Sequence, residues 1–205
     1  MKTLRKYGWR TGLKRYLLQM LQGSRKLVYR LLSENPPRLM QGRLKQPALF
    51  SGRGEIRIGR STIGVWPSPF FLNGYAHIEA REATAKIVIG AHSHINNNAV
   101  LIAERSSISI GDNTLIGHNF SAYDSDFHCL EPSLRSSGQH ESQAVSIGSN
   151  VFVGADVTVL KGVSIGDNSV IANGSIVNSD IPANVIAGGI PARVMRTLEA
   201  PGTTT

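Results

Sequence analysis

One histidine, His128, lies in a polar segment beside two acidic residues and has the chemistry of a general base. Asp124 and Asp126 precede it closely in the chain. An imidazole has an unperturbed pKa of about 6.5, so it can take a proton from an alcohol or an amine, and a nearby carboxylate can orient it. The trio Asp124, Asp126 and His128 therefore predicts a catalytic group for acyl transfer, although such residues in a polar loop are more often ordinary surface residues.

The polar segment interrupts a six-residue repeat. After the segment, which covers 123–144, each hexad begins with a branched aliphatic residue and has Asn, Asp or Gly at its fourth position. These aliphatic residues are Ile147, Val153, Val159, Ile165, Ile171 and Val177. The same phase, with a three-residue slip at 105–107, appears earlier at Ile89, Ile95, Leu101, Ile110 and Ile116.

A period of six predicts a coil of short strands. It fits neither the helical period of 3.6 nor the strand period of 2, whereas a short strand followed by a turn fits it each time. Such repeats are typical of parallel β-helices, in which apolar residues of successive coils stack and Gly, Asn or Asp form the corners. We therefore expect an all-β fold that holds one irregular loop, and irregular loops on rigid scaffolds commonly carry function.

The first 45 residues carry the positive charge of the chain. They contain twelve Lys and Arg against Glu34 alone, a net charge of +11, although the whole chain has only +8. Apolar residues recur there at roughly helical spacing until Pro36 and Pro37, which predicts one or two basic amphipathic helices. These helices could cap the edge of the β-helix or bind an anionic membrane surface. We expect no nucleic-acid partner, because the repeat region adds no basic groove with aromatic residues.

The sequence predicts three regions: a basic helical appendage at 1–45, a β-helix domain at 46–196 with its loop at 123–144, and a flexible tail at 197–205. The single cysteine, Cys129, excludes an internal disulfide and suits a reducing compartment. No apolar run approaches the ~20 residues that span a bilayer, and no secretory signal is evident. We expect a cytoplasmic protein, at the inner face of the membrane if the appendage binds lipid.

Several motifs resemble the hexapeptide-repeat O-acetyltransferases of the galactoside and maltose acetyltransferase type. They are FHCLEPSLR in the loop, the hexads that follow, and the closing IPANVIAGGIPARVMR. The segments PSPFFLNGY, INNN and YDSDFH are similar in character to members that modify surface polysaccharides. The likeness covers about Phe50 to Arg196 and excludes the appendage.

This resemblance implies a left-handed parallel β-helix and a homotrimer, with acetyl-CoA lying between subunits as co-substrate. It implies transfer of an acetyl group to a sugar hydroxyl in surface polysaccharide or lipopolysaccharide biosynthesis, with His128 as the base. The acceptor would contact Asn96 or Asn97 and Tyr123. Acetyl-CoA would contact Phe152, Ala155, Asn173, Asn178, Arg193 and Arg196. In this scheme the backbone N–H of Ala155 faces the thioester oxygen, and the two Arg suit phosphates.

The chain departs from the family pattern at Cys129, where Pro is frequent, and near Glu104 and Arg105, where an acceptor-binding acid has no clean match. The main alternative is N-acetylation of a nucleotide-linked amino sugar, since an amine also needs a base. A γ-class carbonic anhydrase would require converging histidines around zinc, and we expect no metal. A non-catalytic scaffold would not need the acids and histidine of the loop. We expect His140, in the far half of the loop, to be exposed.

Overall fold

A computed structural model describes the backbone of residues 4–198 and the side chains of residues 11–198. One helix, α1 (Leu4–Leu32), precedes twenty short strands, and a 3-10 turn at Pro132–Leu134 lies in the long loop. Among the described residues, no helix combines the length and the apolar character that crossing a bilayer requires.

The strands form three sheets, because each coil of the chain adds one strand to each sheet. The first sheet has, in order, β1 (Leu39–Met40), β4 (Glu55–Ile58), β7 (Lys86–Ile89), β10 (Ser107–Ile110), β13 (Val145–Ile147) and β16 (Ser164–Ile165). The second has β2 (Arg43–Leu44), β5 (Thr62–Ile63), β8 (His94–Ile95), β11 (Leu115–Ile116), β14 (Phe152–Val153), β17 (Val170–Ile171), β19 (Val185–Gly189) and β20 (Ala192–Thr197). The third has β3 (Ala48–Gly52), β6 (Ala76–Ala80), β9 (Val100–Ala103), β12 (Ser121–Tyr123), β15 (Thr158–Val159) and β18 (Ile176–Val177).

All pairings between these strands are parallel except that of β19 with β20, which closes the coil as an antiparallel hairpin. The aliphatic residues of the hexads stack in register: Ile147 pairs with Ile165, and Val153 pairs with Ile171. These four side chains are at most 2% exposed. The predicted parallel β-sheet coil with a stacked aliphatic core is therefore confirmed.

The fourth position of the first five hexads turns a corner, as predicted. Asn150, Asp156, Gly162, Asn168 and Gly174 all have φ between 56° and 76°. This left-handed region is unfavourable for most L-residues but is accessible to Gly, Asn and Asp. The corner chemistry of the repeat therefore follows from backbone sterics.

The β-helix begins earlier than residue 46. Strands β1 and β2 lie inside the predicted appendage and pair with β4 and β5, although 38–45 carry no hexad pattern. Directly after α1, the N–H groups of Glu34 and Asn35 donate to the carbonyl oxygen of Phe50 on β3, at 3.0 and 3.2 Å. The end of the helix therefore covers the free edge of the third sheet. The predicted tail lies outside the described residues from residue 199 onward.

Candidate active site

The loop between β12 and β13 is closed at its base. The N–H of Gln143 donates to the carbonyl oxygen of Asp124 at 2.7 Å, and Ser125 forms an isolated antiparallel bridge with Ser142. The Ser125 hydroxyl also accepts the N–H of Phe127 at 2.9 Å. His128 therefore follows a short segment whose backbone is fixed from both sides.

The exposed imidazole of His128 has one nitrogen against a backbone carbonyl. Its Nδ1 lies 3.3 Å from the carbonyl oxygen of Arg135. Because a carbonyl oxygen only accepts, this contact requires the proton on Nδ1. In the neutral ring Nε2 then carries the lone pair, which is the form that a general base needs.

His128 lines a cleft of about 250 Å³ together with Asp126, Cys129, Leu130, Glu131, His140, Glu141 and Lys161. Within it, Asp126 pairs with Lys161 at 2.5 Å, and this hydrogen bond raises the pKa of Lys161. Asp126, predicted as a catalytic residue, thus lies in this cleft as the partner of a lysine. The cleft combines cationic, anionic and imidazole groups that suit a polar acceptor.

The second imidazole of the cleft, His140, is buried rather than exposed. Its side chain is 4% exposed, and its Nε2 lies 2.5 Å from Oε2 of Glu104. Its Nδ1 is buried without a hydrogen-bond partner among the described residues. The expectation of an exposed His140 was wrong, because the far half of the loop folds back over the coil that carries Glu104.

Glu104 is an ionised, buried carboxylate. Burial raises its pKa, but the hydrogen bonds from Ser125, at 2.6 Å, and His140 and the charges of His140 and Arg81 outweigh burial and lower the pKa below its usual value. The pKa of Glu79 is lowered in the same way: burial raises this pKa, but the hydrogen bonds of Glu79 with Arg81 and His77 outweigh burial. Arg81 lies 3.6 Å from Glu104 and joins the two carboxylates into one network at the base of the loop.

Asp124 is not placed as a catalytic acid. It is fully buried, and its two carboxylate oxygens accept the backbone N–H groups of Glu104 and Ser106, each at 2.7 Å. Those N–H groups belong to the segment between β9 and β10, and without Asp124 they would lose these hydrogen-bond acceptors. The predicted catalytic role of Asp124 is therefore replaced by a structural one: it holds the corner on which the loop stands.

Asn97 is also a structural residue. It is fully buried, and its amide donates to the carbonyl oxygens of Val65 and Pro69 at 2.9 and 2.8 Å, while its Oδ1 accepts the N–H of Val65. It therefore anchors the aromatic loop between β5 and β6 and is not available to an acceptor. Asn96 and Tyr123 are partly exposed and remain predicted contacts.

The predicted cofactor residues lie on the last coils. Phe152 is half exposed on β14, and the corner after it holds Ala155. The N–H of Ala155 donates to Oδ1 of Asn173 at 3.0 Å. The backbone donor predicted to face the thioester is therefore occupied by the side chain of another predicted cofactor residue.

The closing hairpin turns two arginines to one face. Arg193 is opposite Gly188 and Arg196 is opposite Ile186, with a register shift between them. Side chains three residues apart on a regular strand point to opposite faces, but an extra residue in a bulge restores the same face. Arg193 also lies 3.4 Å from Oδ1 of Asn178. The structure thus places Arg193 and Arg196 on the same closing hairpin, with Asn178 beside Arg193.

No group of three or more His, Cys, Asp or Glu side chains within residues 11–198 is arranged to hold a metal ion. Among the histidines, His118 packs beside Phe70, with ring centroids 5.6 Å apart.

Comparisons with known proteins agree with this architecture. The family model for the hexapeptide repeat of succinyl-transferase matches residues 144–179, the part with uninterrupted hexads. The galactoside O-acetyltransferase of Escherichia coli K12 is 42% identical over 112 residues, which are 55% of this chain and 54% of that protein. The chain thus spans about half the length of this curated relative.

Two solved structures extend the likeness to most of the chain. The polySia-specific acetyltransferase NeuO is 27% identical with a TM-score of 0.61, covering 79% of this chain and 70% of that one. An acetyltransferase from Vibrio cholerae O1 biovar eltor, complexed with acetyl coenzyme A, is 27% identical with a TM-score of 0.57. The match covers 90% of this chain and 89% of that one. The predicted resemblance is therefore confirmed: the chain carries hexapeptide repeats and is similar in sequence and fold to hexapeptide-repeat acetyltransferases.

Proposed function

We propose that this protein transfers the acetyl group of acetyl-CoA to a sugar hydroxyl during surface polysaccharide or lipopolysaccharide biosynthesis. The observation that carries the proposal is the position of His128, which lines a polar cleft with Nδ1 against a carbonyl oxygen and Nε2 left as the proton acceptor. The similarity to galactoside O-acetyltransferase and to a polysialic-acid-specific acetyltransferase supports a saccharide acceptor.

In this mechanism acetyl-CoA supplies an activated thioester, and the residues of the chain bind and move protons. Nε2 of His128 takes the proton of the acceptor hydroxyl as its oxygen attacks the thioester carbonyl, and the imidazolium returns that proton to the departing sulfur. General base catalysis of this kind contributes about 10²- to 10⁴-fold. The contact with the Arg135 carbonyl keeps the ring in the required tautomer and stabilises its cation.

The remaining cleft groups would bind the acceptor. Lys161 and Asp126 present a charged pair to sugar hydroxyls, and Nδ1 of His140 is buried without a partner in the described part of the chain. With Nε2 hydrogen-bonded to Glu104, Nδ1 accepts a hydrogen bond from a second hydroxyl when the ring is neutral and donates one to that hydroxyl when the ring is protonated. Asn96 and Tyr123 would border the acceptor from the preceding coils.

On the donor side, Arg193 and Arg196 would bind the phosphates of coenzyme A, with Asn178 positioning Arg193. Phe152 would flank the thioester arm, and Ala155 would stabilise the developing oxyanion once the Asn173 side chain turns away. We also propose the left-handed coil and the homotrimer that the resemblance implies. The exposed neighbours Leu115 and Phe152, adjacent on the second sheet, suit burial at a subunit or cofactor contact. A cytoplasmic location fits a donor that is made inside the cell.

The decisive experiment measures acetyl-CoA consumption and product mass with a panel of galactosides, nucleotide sugars and lipid-linked oligosaccharides. We expect an ester product, and His128→Gln should lower kcat about 10²- to 10⁴-fold while acetyl-CoA binding is retained. An amide on a nucleotide-linked amino sugar would favour N-acetylation instead. Unchanged turnover of His128→Gln would show that another group is the base.

A further inference from the structure

Helix α1 is attached to the β-helix by its polar face. Gln22 is buried, and its amide donates to the carbonyl oxygen of Phe71 at 2.8 Å. Arg25 donates to the carbonyl oxygen of Gly74 at 2.7 Å. One turn further, Tyr29 packs on Tyr75 with ring centroids 4.8 Å apart. Residues at this three- and four-residue spacing share one side of a helix, so the docked side is defined by polar and aromatic contacts.

The opposite face of α1 is apolar and exposed. A helix on a globular protein normally buries its apolar stripe against the core. Here nine large apolar side chains remain 47 to 76% exposed. They are Leu13, Tyr16, Leu17, Met20, Leu21, Leu27, Val28, Leu31 and Leu32. Packing on the β-helix therefore leaves a large part of the apolar surface of this helix exposed.

The charge of α1 indicates what this face binds. Between Leu4 and Leu32 the sequence has eight Lys and Arg and no acidic residue. Lys14 and Arg30 are exposed beside the apolar stripe. Pairing this face with the same face of another copy would bring two wholly cationic helices together, whereas an anionic lipid surface offers apolar depth and opposite charge at once.

A neighbouring loop continues the same surface. Trp66 and Leu72, about half exposed, lie beside α1 and line with it an apolar cleft of about 490 Å³. Leu17 and Leu21 form the helix wall of the cleft, and Lys14 stands at its edge. Tryptophan and lysine beside aliphatic residues are the combination found at membrane interfaces, where aromatic rings and cations sit at the level of the headgroups.

We propose that the outward face of α1, together with Trp66 and Leu72, binds the surface of an anionic phospholipid membrane. The helix lies in the interface with its leucines in the acyl boundary, and its cations contact the headgroups. The β-helix is held on the aqueous side by the hydrogen bonds of Gln22 and Arg25 to the β5–β6 loop. This binding does not depend on the proposed acetyl transfer.

The test is co-sedimentation of the full chain with vesicles of phosphatidylcholine containing 30% phosphatidylglycerol, at low and high salt. We expect binding to these vesicles that weakens with salt and is at least about ten-fold weaker with pure phosphatidylcholine. The double variant Leu17→Gln/Leu31→Gln should bind at least about ten-fold more weakly, because two buried leucines are lost. Lys14→Gln and Arg30→Gln should each weaken binding about five-fold at low salt.

Val88→Gln is the matched control, because Val88 is an exposed aliphatic residue on β7, outside this surface. It should bind vesicles as the wild type does. Thermal unfolding checks that the Leu17→Gln/Leu31→Gln chain is folded, and light scattering reports its mass. Wild-type affinity of the double variant, or no binding of the full chain to anionic vesicles at low salt, would overturn the proposal. A lower oligomer mass for the double variant would overturn it too, by assigning the face to contacts between copies.

Discussion

Oδ1 of Asn173 accepts the backbone N–H of Ala155 at 3.0 Å, across one coil of the β-helix. The same corner contact recurs where Oδ1 of Asp167 accepts the N–H of Ser149 at 2.7 Å. In the proposed reaction the Ala155 N–H must instead meet the thioester oxygen. Asn173 therefore competes with the transition state for one donor.

Replacing Asn173 by alanine should free this donor. Since a neutral hydrogen bond contributes about 1 kcal/mol net, we expect kcat/KM for acetyl transfer to rise about five-fold in Asn173→Ala. Asn173→Asp keeps an acceptor and adds negative charge beside the oxyanion, so it should lower kcat at least about ten-fold. Steady-state kinetics distinguish the two. If Asn173→Ala chiefly raised KM for acetyl-CoA, the side chain would be a cofactor ligand and not a competitor.

Asp124→Asn should affect stability more than chemistry. An amide offers one oxygen to the two backbone N–H groups that Asp124 now satisfies, so one buried donor loses its partner at a cost of about 1–3 kcal/mol. Asp126→Asn is the control, because its partly exposed pair with Lys161 contributes at most about 1 kcal/mol. Urea unfolding measures both. Equal stability of the two variants would contradict the structural role of Asp124.

The Glu104 network should make stability depend on acidity. Because the folded-state pKa of Glu104 lies below its ordinary value of 4.5, its ionised form stabilises the fold fully above that value. This contribution disappears as pH falls through the folded pKa. Glu104→Gln should therefore lower Tm near pH 7, and the difference in Tm from the wild type should shrink as pH falls below 4.5. Glu131→Gln, on the loop surface, should change neither Tm near pH 7 nor the dependence of Tm on pH. A constant Tm difference at all pH values would refute the linkage.

The two hairpin arginines should act on cofactor affinity alone. Arg193→Gln and Arg196→Gln should each raise KM for acetyl-CoA about ten-fold, since a charge-assisted bond contributes about 1.5–3 kcal/mol where it is shielded. The kcat and the KM for the acceptor should stay close to wild type. Arg60→Gln, an exposed arginine far from this hairpin in sequence, should leave all three constants unchanged. A change in kcat only would place these arginines elsewhere in the reaction.

The sequence predicted the coil well because its signal is periodic. Every aliphatic hexad position from Ile147 to Val177 is buried, and the Asn, Asp and Gly corners have the expected backbone. Local alternation could also have separated Asn96 from Asn97. Since Ile95 points inward, Asn97, two residues later on the same side, does so too.

The loop could not be predicted at the same depth. The contact of His140 with Glu104 joins residues 36 positions apart, and it depends on how an aperiodic segment folds over the coil. The contacts of Asp124 could not be predicted for a similar reason: its residue type suggested acid–base chemistry, but its two oxygens accept the backbone N–H groups of Glu104 and Ser106. Likewise, hydrophobic spacing predicted α1 but not which of its faces meets the β-helix.

The segments that connect strands of the third sheet to strands of the first sheet differ in length, and they all lie along one edge of the β-helix. Residues 81–85, 104–106 and 124–144 all connect a third-sheet strand to a first-sheet strand, yet Ile108 still pairs with Val145 across the longest of them. Chain length at this edge is thus uncoupled from the stacking of the core. Under the proposed function, the loop on the acceptor side could be lengthened, shortened or exchanged as a unit, while the coils proposed to hold the donor keep their register. A new sugar specificity would then require a new loop and no new fold.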